Sequence, residues 1–270
     1  MKAFMAFVLI YLCINPGQAQ ELNSSGARSE ALANSTGASI DFWSLKNNPS
    51  TIAFLNETSA GIDVKNNFMV KELSSATIAI LLPVNKYGVF SFYYQRYGYK
   101  NFNQNKVAIS YSKKISKQTS ASIQLNNNIQ NIVSEEESYT EHIIGFNIGV
   151  FTKLNENFHL ASYYNFKKNI SDRKENNAQE LSLALSWFPI SELNILSEIS
   201  LKTNSKTFVG GGVEYLILDK VAARIGISSE PLNISMGIGI FFRDLNIDIS
   251  ATHNQYLGTG SNLSGNYVFN

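Results

Sequence analysis

The stretch ELSLALSWFPISELNILSEISL, Glu180–Leu201, decides the fold. Leu181, Leu183, Leu185 and Trp187 alternate with Ser182, Ala184 and Ser186. A short PISELN turn follows, and then Ile195, Ile199 and Leu201 recur at even spacing against Asn194, Glu198 and Ser200. The period is two, which is a strand and not a helix. One face is greasy; the other is small and polar. The greasy face meets either the core of a soluble sandwich or lipid.

From Thr58 onward the same alternation repeats to the end. It marks fourteen candidate strands, near 58–66, 75–84, 88–97, 104–113, 119–130, 141–153, 157–168, 178–188, 193–203, 206–217, 221–228, 232–242, 245–252 and 262–269. Each is close to the roughly 9–11 residues that a tilted membrane strand needs. Their connections alternate in length. NKYG, KISKQ, NEN, ISEL, LDK and RDL are tight, whereas NNFMVKELS, NIVSEEESYTE, KNISDRKENNAQE and NQYLGTGSN are longer and polar, though KTNS and SEP on that side are short too. Short periplasmic turns and longer external loops are the mark of an outer-membrane barrel.

The faces sort in the same sense. Ile144, Phe146, Ile148 and Val150 oppose Gly145, Asn147 and Gly149; Ile234, Met236, Ile238 and Ile240 oppose Ser235, Gly237 and Gly239. The apolar set is expected to face lipid and the Gly/Ser/Asn set a lumen. In lipid every backbone donor and acceptor must be paired internally, so the sheet has to close. The expected fold is all-β: a closed antiparallel transmembrane barrel of about fourteen strands with a short N-terminal plug or cap. Tyr93, Tyr94 and Tyr97, Tyr163 with Tyr164, Trp187 with Phe188, and Phe241 with Phe242 are candidates for aromatic girdles at the membrane interfaces.

The 270-residue chain opens on Lys2, the apolar block AFMAFVLIYLCI and then NPGQAQ. That order reads as a secretory signal over residues 1–19, cut after Ala19. The single cysteine, Cys13, lies inside it, and the large Leu12 before it argues against a lipid anchor. The mature chain therefore has no thiol chemistry. Without Lys2 its basic and acidic residues balance, which gives no reason to expect a nucleic-acid partner. The expected destination is the cell outer membrane, with outer-membrane lipid as one partner.

Residues 20–57 do not alternate; Gly26, Gly37 and Pro49 break the segment, and Arg28–Asn34 has room for one or two helical turns. They read as a periplasmic plug or cap, with the barrel proper over 58–270. The stretch GARSEALANSTGASIDFWSLKNNPSTIAFL resembles the N-terminal signature of PorV/PorQ-like outer-membrane proteins of Bacteroidota, distant relatives of the FadL transporters. The pattern maps onto Gly26–Arg28, Trp43, Asn48 and Pro49, with Ser50 in place of the usual Ala. The closing strand HNQYLGTGSNLSGNYVFN is similar too, with Tyr267 and Phe269 as the expected barrel-insertion signal, although Asn270 follows Phe269. The resemblance implies a non-enzymatic subunit of an envelope machine, in type IX secretion or outer-membrane protein assembly, with protein partners. The alternative is a FadL-like transporter or porin for hydrophobic or small solutes.

The chain carries few signs of chemistry. His142, His159 and His253 fall in different strands, with no metal-ligand spacing, and GxSxG is absent. No catalytic residue, cofactor or metal is expected. VGGGVEY (209–215) reads as lumen-facing or closely packed strand glycines. Glu198, Glu214, Arg224 and Asp248 fall on the polar face and are expected to form a charge network in the lumen. Keeping both polar faces together across LDK requires a three-residue turn that pairs Glu214 with Arg224.

Overall fold

The computed structural model describes residues 26–134, 138–171, 177–203 and 205–269. The expected export signal, residues 1–19, lies outside the described residues, as do residues 20–25 of the N-terminal segment and the terminal Asn270.

The chain forms a closed antiparallel barrel of fourteen strands. They are β1 Thr58–Asn66, β2 Ser74–Val84, β3 Gly88–Gly98, β4 Phe102–Lys114, β5 Thr119–Val133, β6 Ser138–Lys153 and β7 Phe158–Asn169. After these come β8 Asn177–Ile190, β9 Leu193–Lys202, β10 Phe208–Ile217, β11 Val221–Ser228, β12 Asn233–Phe242, β13 Leu245–Asn254 and β14 Gly258–Phe269. Each strand pairs with its sequence neighbours, and β14 closes on β1, Thr58 facing Phe269 and Asn66 facing Ser261. Closure leaves no edge strand, so every strand has a partner on both sides.

Burial alternates along the strands. Ile62, Ile78, Ile109, Leu125, Leu183, Val209, Ile225, Ile238, Ile249 and Leu263, one from each of ten strands, are large apolar side chains on the outside, 50–60 % exposed. So continuous an apolar exterior suits lipid. The inner face is dominated by buried Ser, Asn, Gln and Gly, as in Ser91 against Ser110 and Ser182 against Ser200.

Alternation also corrects the girdle expectation. Tyr93 and Tyr163 are inward and buried, and Phe241 lines an inner cavity, because neighbours in a strand face opposite ways. Trp187 does lie outside, stacked on Phe158 with centroids 5.8 Å apart. β5 and β6 run to 15 and 16 residues, longer than the sequence pattern suggested. The connection NQYLGTGSN shrinks to residues 255–257, since β14 already begins at Gly258.

Residues 26–57 precede β1 and pack against the inner wall. They hold a five-residue helix α1 (Ala27–Ala31), a four-residue helix α2 (Ser44–Asn47) and a 3₁₀ turn, Pro49–Phe54. α1 lies against β11–β14, and the 3₁₀ turn against β3–β6. Glycines make the seat for α1. A methyl at Gly226 would stand 2.5 Å from the Ala33 nitrogen, at Gly237 2.6 Å from Ala31 Cβ and at Gly212 2.9 Å from Leu32 Cδ2. The VGGGVEY glycines Gly210 and Gly212 thus face the lumen and leave room for a second layer of chain.

Candidate functional site

The site is the joint between residues 26–57 and the barrel wall. At the tight-turn end it is ionic. Arg28 holds Glu214 through two bonds, Nε to Oε2 at 2.9 Å and Nη2 to Oε1 at 2.7 Å, and Asp41 through Nη1 at 2.6 Å. Glu214 also accepts from Arg224 Nε at 2.5 Å, and Arg224 Nη1 reaches Asp248 Oδ1 at 2.6 Å. The result is a chain, Asp41–Arg28–Glu214–Arg224–Asp248, that runs from the inner segment into three strands. The register beneath it has Ile217 opposite Val221 and Glu214 opposite Arg224. Burial works against the Arg28 charge, but Glu214 and Asp41 outweigh it and hold its pKa above the ordinary value.

A second set of contacts is made by wall side chains capping the segment's backbone. Ser112 Oγ donates to Pro49 O and Ser120 Oγ to Ser50 O, each at 2.6 Å; Gln124 Nε2 donates to Leu45 O at 2.8 Å. Asn147 serves Asn47 O at 3.2 Å and Ser186 serves Ala38 O at 3.3 Å. In the other sense, Ala27 N–H donates to Ser264 Oγ and Gly37 N–H to Glu198 Oε2, both at 2.9 Å. Short, irregular chain cannot pair its own carbonyls, and a buried carbonyl left alone costs about 1–3 kcal/mol. A lumen rich in Ser, Asn and Gln supplies the missing partners.

The third layer is apolar. Phe42, Trp43, Leu45 and Ile52 of the segment pack with Ala79, Leu81, Val89, Tyr93 and Ala108 of the wall. Phe54 meets Phe151 edge-on at 5.3 Å.

The motif residues of the N-terminal signature all serve this joint. Gly26 sits at φ +86°, where a side chain is strained, and a methyl there would lie 2.5 Å from Trp43 Cγ. Trp43 packs edge-on to Phe42 at 5.0 Å. Asn48 is fully buried; its Nδ2 donates to Gly37 O at 2.8 Å and its Oδ1 accepts from Ser50 Oγ at 2.7 Å. Pro49 opens the 3₁₀ turn, where its missing N–H is not needed.

The four wall charges do not form one network. Glu214, Arg224 and Asp248 come together, whereas Glu198 stands apart and accepts from the Tyr163 hydroxyl and Gly37 N–H. Tyr267 and Phe269 lie on the outside of β14, edge-on at 5.1 Å. Asp41 and the ion pair of Lys65 with Glu30, at 2.6 Å, were not legible from spacing, since their partners are remote in the chain.

Two spaces remain. A cavity of about 500 Å³ opens at the tight-turn end, between Arg28, Asp41, Trp43 and Leu55 of the segment and Phe188, Glu192, Asp219 and Phe241 of the rim. On the loop side, Lys46, Lys106, Gln104 and Asn165 are only half-buried. Burial is the chief reason that the Lys46 amine falls to about 7 from its usual 10.5; Lys106 and Lys65 lower it further, and Asp63 and Glu30 oppose them.

No protein-family model matches the chain, and no curated protein does either. Solved barrels share its shape at low identity. The Ralstonia pickettii toluene transporter TbuX aligns with 91 % of this chain and 98 % of its own at 10 % identity and a TM-score of 0.68. A Pseudomonas aeruginosa FadL homologue covers 92 % and 99 % at 12 % identity and TM-score 0.65, and the P. putida toluene transporter TodX 93 % and 99 % at 13 % and 0.65. The fold is therefore that of the FadL-type barrels. The PorV/PorQ resemblance finds no counterpart among these relatives, and the expectation of a secretion-machine subunit gains no support from them.

Proposed function

We propose that the protein is an outer-membrane channel for small solutes, built on a FadL-type barrel and held shut by its own residues 26–57. The single observation that carries this is the three-layered joint that ties those residues across the inside of a closed barrel. In this reading residues 1–19 are the export signal, residues 20–57 the plug, and the tight turns and C-terminus face the periplasm. The neighbours named as toluene transporters support solute passage as the role of such a barrel. The polar inner wall favours hydrophilic passengers over hydrocarbons, because a hydrocarbon would have to displace water from amides and hydroxyls without replacing their bonds. The subunit role in an envelope machine rests on the N-terminal resemblance alone, and no geometric feature favours it.

The test is conductance in planar lipid bilayers. Wild type is expected to be nearly silent, and a variant lacking residues 26–55 to conduct steadily. A deletion variant that inserts yet conducts no more than bare lipid would overturn the channel reading.

A further inference from the structure

Above the plug, two lysines point into the lumen. Lys46 Nζ, on α2, donates to Thr77 Oγ1 at 3.2 Å and lies 5.5 Å from the centroid of the Tyr93 ring. Lys106 Nζ, on β4, lies 6.0 Å from the same centroid. Among the described residues neither ammonium has a carboxylate oxygen within 4.0 Å. The nearby Glu30 is already bound to Lys65. The charges that bear on Lys46 are those of Lys106, Lys65, Asp63 and Glu30. Ammonium groups hold three donors each and no acceptor. Lys46 uses one of its three on a hydroxyl; its second contact is the face of a ring.

The walls around the pair are amides. Gln95 and Asn128 flank Lys106 in the register, and Gln104 pairs with Gln130 one step towards the loops. Both lysines are half-buried. Two like charges converging on one ring repel each other, and a shared counter-charge would relieve that.

We propose that Lys46 and Lys106 form a binding site for a small hydrophilic oxyanion, a carboxylate- or phosphate-bearing solute, on the loop side of the plug. The inference rests on the channel reading for its meaning, since it names the passenger class, but not for its test. An oxyanion there accepts from both ammoniums and from the surrounding amides. Charge-assisted bonds of that kind make each lysine worth roughly tenfold or more in affinity. The site lies at the meeting of plug and wall, so occupancy is sensed by α2 as well as by the barrel.

The experiment uses the full mature chain folded in detergent, titrated calorimetrically with inorganic phosphate, with succinate and with glucose. Phosphate and succinate are expected to bind, and glucose not. Lys46→Met and Lys106→Met should each weaken binding about tenfold while keeping the heat-modifiable gel migration of a folded barrel. Binding of one anion alone identifies which oxyanion the site takes. A second readout needs no variant: millimolar phosphate should slow acetylation of Lys46 in wild type, followed by mass spectrometry. Isotherms unchanged in both variants, or Lys46 acetylated at the same rate with and without either anion, would overturn the site. Binding to the full chain in detergent with no conductance from the variant lacking residues 26–55 leaves the site and removes the channel; conductance from that variant without binding to the full chain does the reverse.

Discussion

At the scale of residues, Glu214 and Arg224 show how an internal charge is made tolerable. A lone carboxylate in the wall would suffer the cost of desolvation. Here Glu214 accepts from two guanidiniums and Arg224 serves two carboxylates. Sequence spacing across LDK shows the pair but not its second partners, Arg28 and Asp41, which come from a segment with no regular period. That changes the expected double-mutant outcome. In an isolated pair, removing both partners would be cheaper than removing one. In this chain, Glu214→Gln with Arg224→Met still strands Asp248 and leaves Arg28 with Asp41 alone. We expect each single change to cost roughly 3–5 kcal/mol, as for a broken buried pair. The double should cost at least as much as either single, and less than their sum. Denaturant titration of the barrel in vesicles measures this, and strict additivity would show that the two groups do not interact. On the outer face, Leu183 is 50 % exposed, facing Ile199 and Ser162 in the register. Leu183→Arg should cost roughly 2–4 kcal/mol near the bilayer midplane. The neighbouring Ser182→Asn is expected to cost much less, and equal losses on the two faces would contradict the assignment of lipid and lumen.

At the scale of elements, the strands were readable and the packing of residues 26–57 was not, for a physical reason. Apolar groups outside and small polar groups inside keep a period of two over most of the strands, so most boundaries fall within a residue or two of the expected ones. Legibility fails where the two faces become alike. The Asn126–Asn131 stretch of β5 offers little apolar contrast, and there the strand runs on beyond the pattern. α1 and α2, five and four residues long, are too short to show a helical period. They hold because the wall caps and seats them. Lys46 on α2 gives this element a pH dependence. Its charge is faced by Asp63 of β1, Glu30 of α1, Lys65 of β1 and Lys106 of β4, beside the Tyr93 ring. With the plug seated its pKa is about 7, against 10.5 when exposed. An undocked plug therefore binds more protons between those values, so docking strengthens as pH rises through that window. Below about pH 7 the amine is charged in both states, and the full cost of burying it opposes docking. Channel openings of the wild type should be more frequent at pH 6 than at pH 9, with the difference lost in Lys46→Met. More openings at pH 9 would reverse the sign and count against the buried amine as the cause.

For the whole molecule, residues 26–57 and the barrel contribute different kinds of stability. The barrel's ladder is complete without the plug, β1 to β14 included, so no backbone group of the wall depends on residues 26–57 for a sheet partner. The inner apolar side chains do depend on them. Leu81, Val89, Tyr93 and Phe151 are buried against the segment, and its removal would expose them to a water-filled lumen. Each large apolar side chain returned to water costs about 1.5–3 kcal/mol, offset in part because serines and amides freed from capping find water instead. Ladder closure then argues for survival, and apolar exposure for weakening. Deleting residues 26–55 is therefore expected to leave the strand signature in circular dichroism and the heat-modifiable gel shift intact, while lowering the temperature at which that shift is lost. Loss of the strand signature altogether would mean that the barrel closes only around its plug. An unchanged transition temperature would mean that the apolar layer between Trp43 and the wall contributes no net stability.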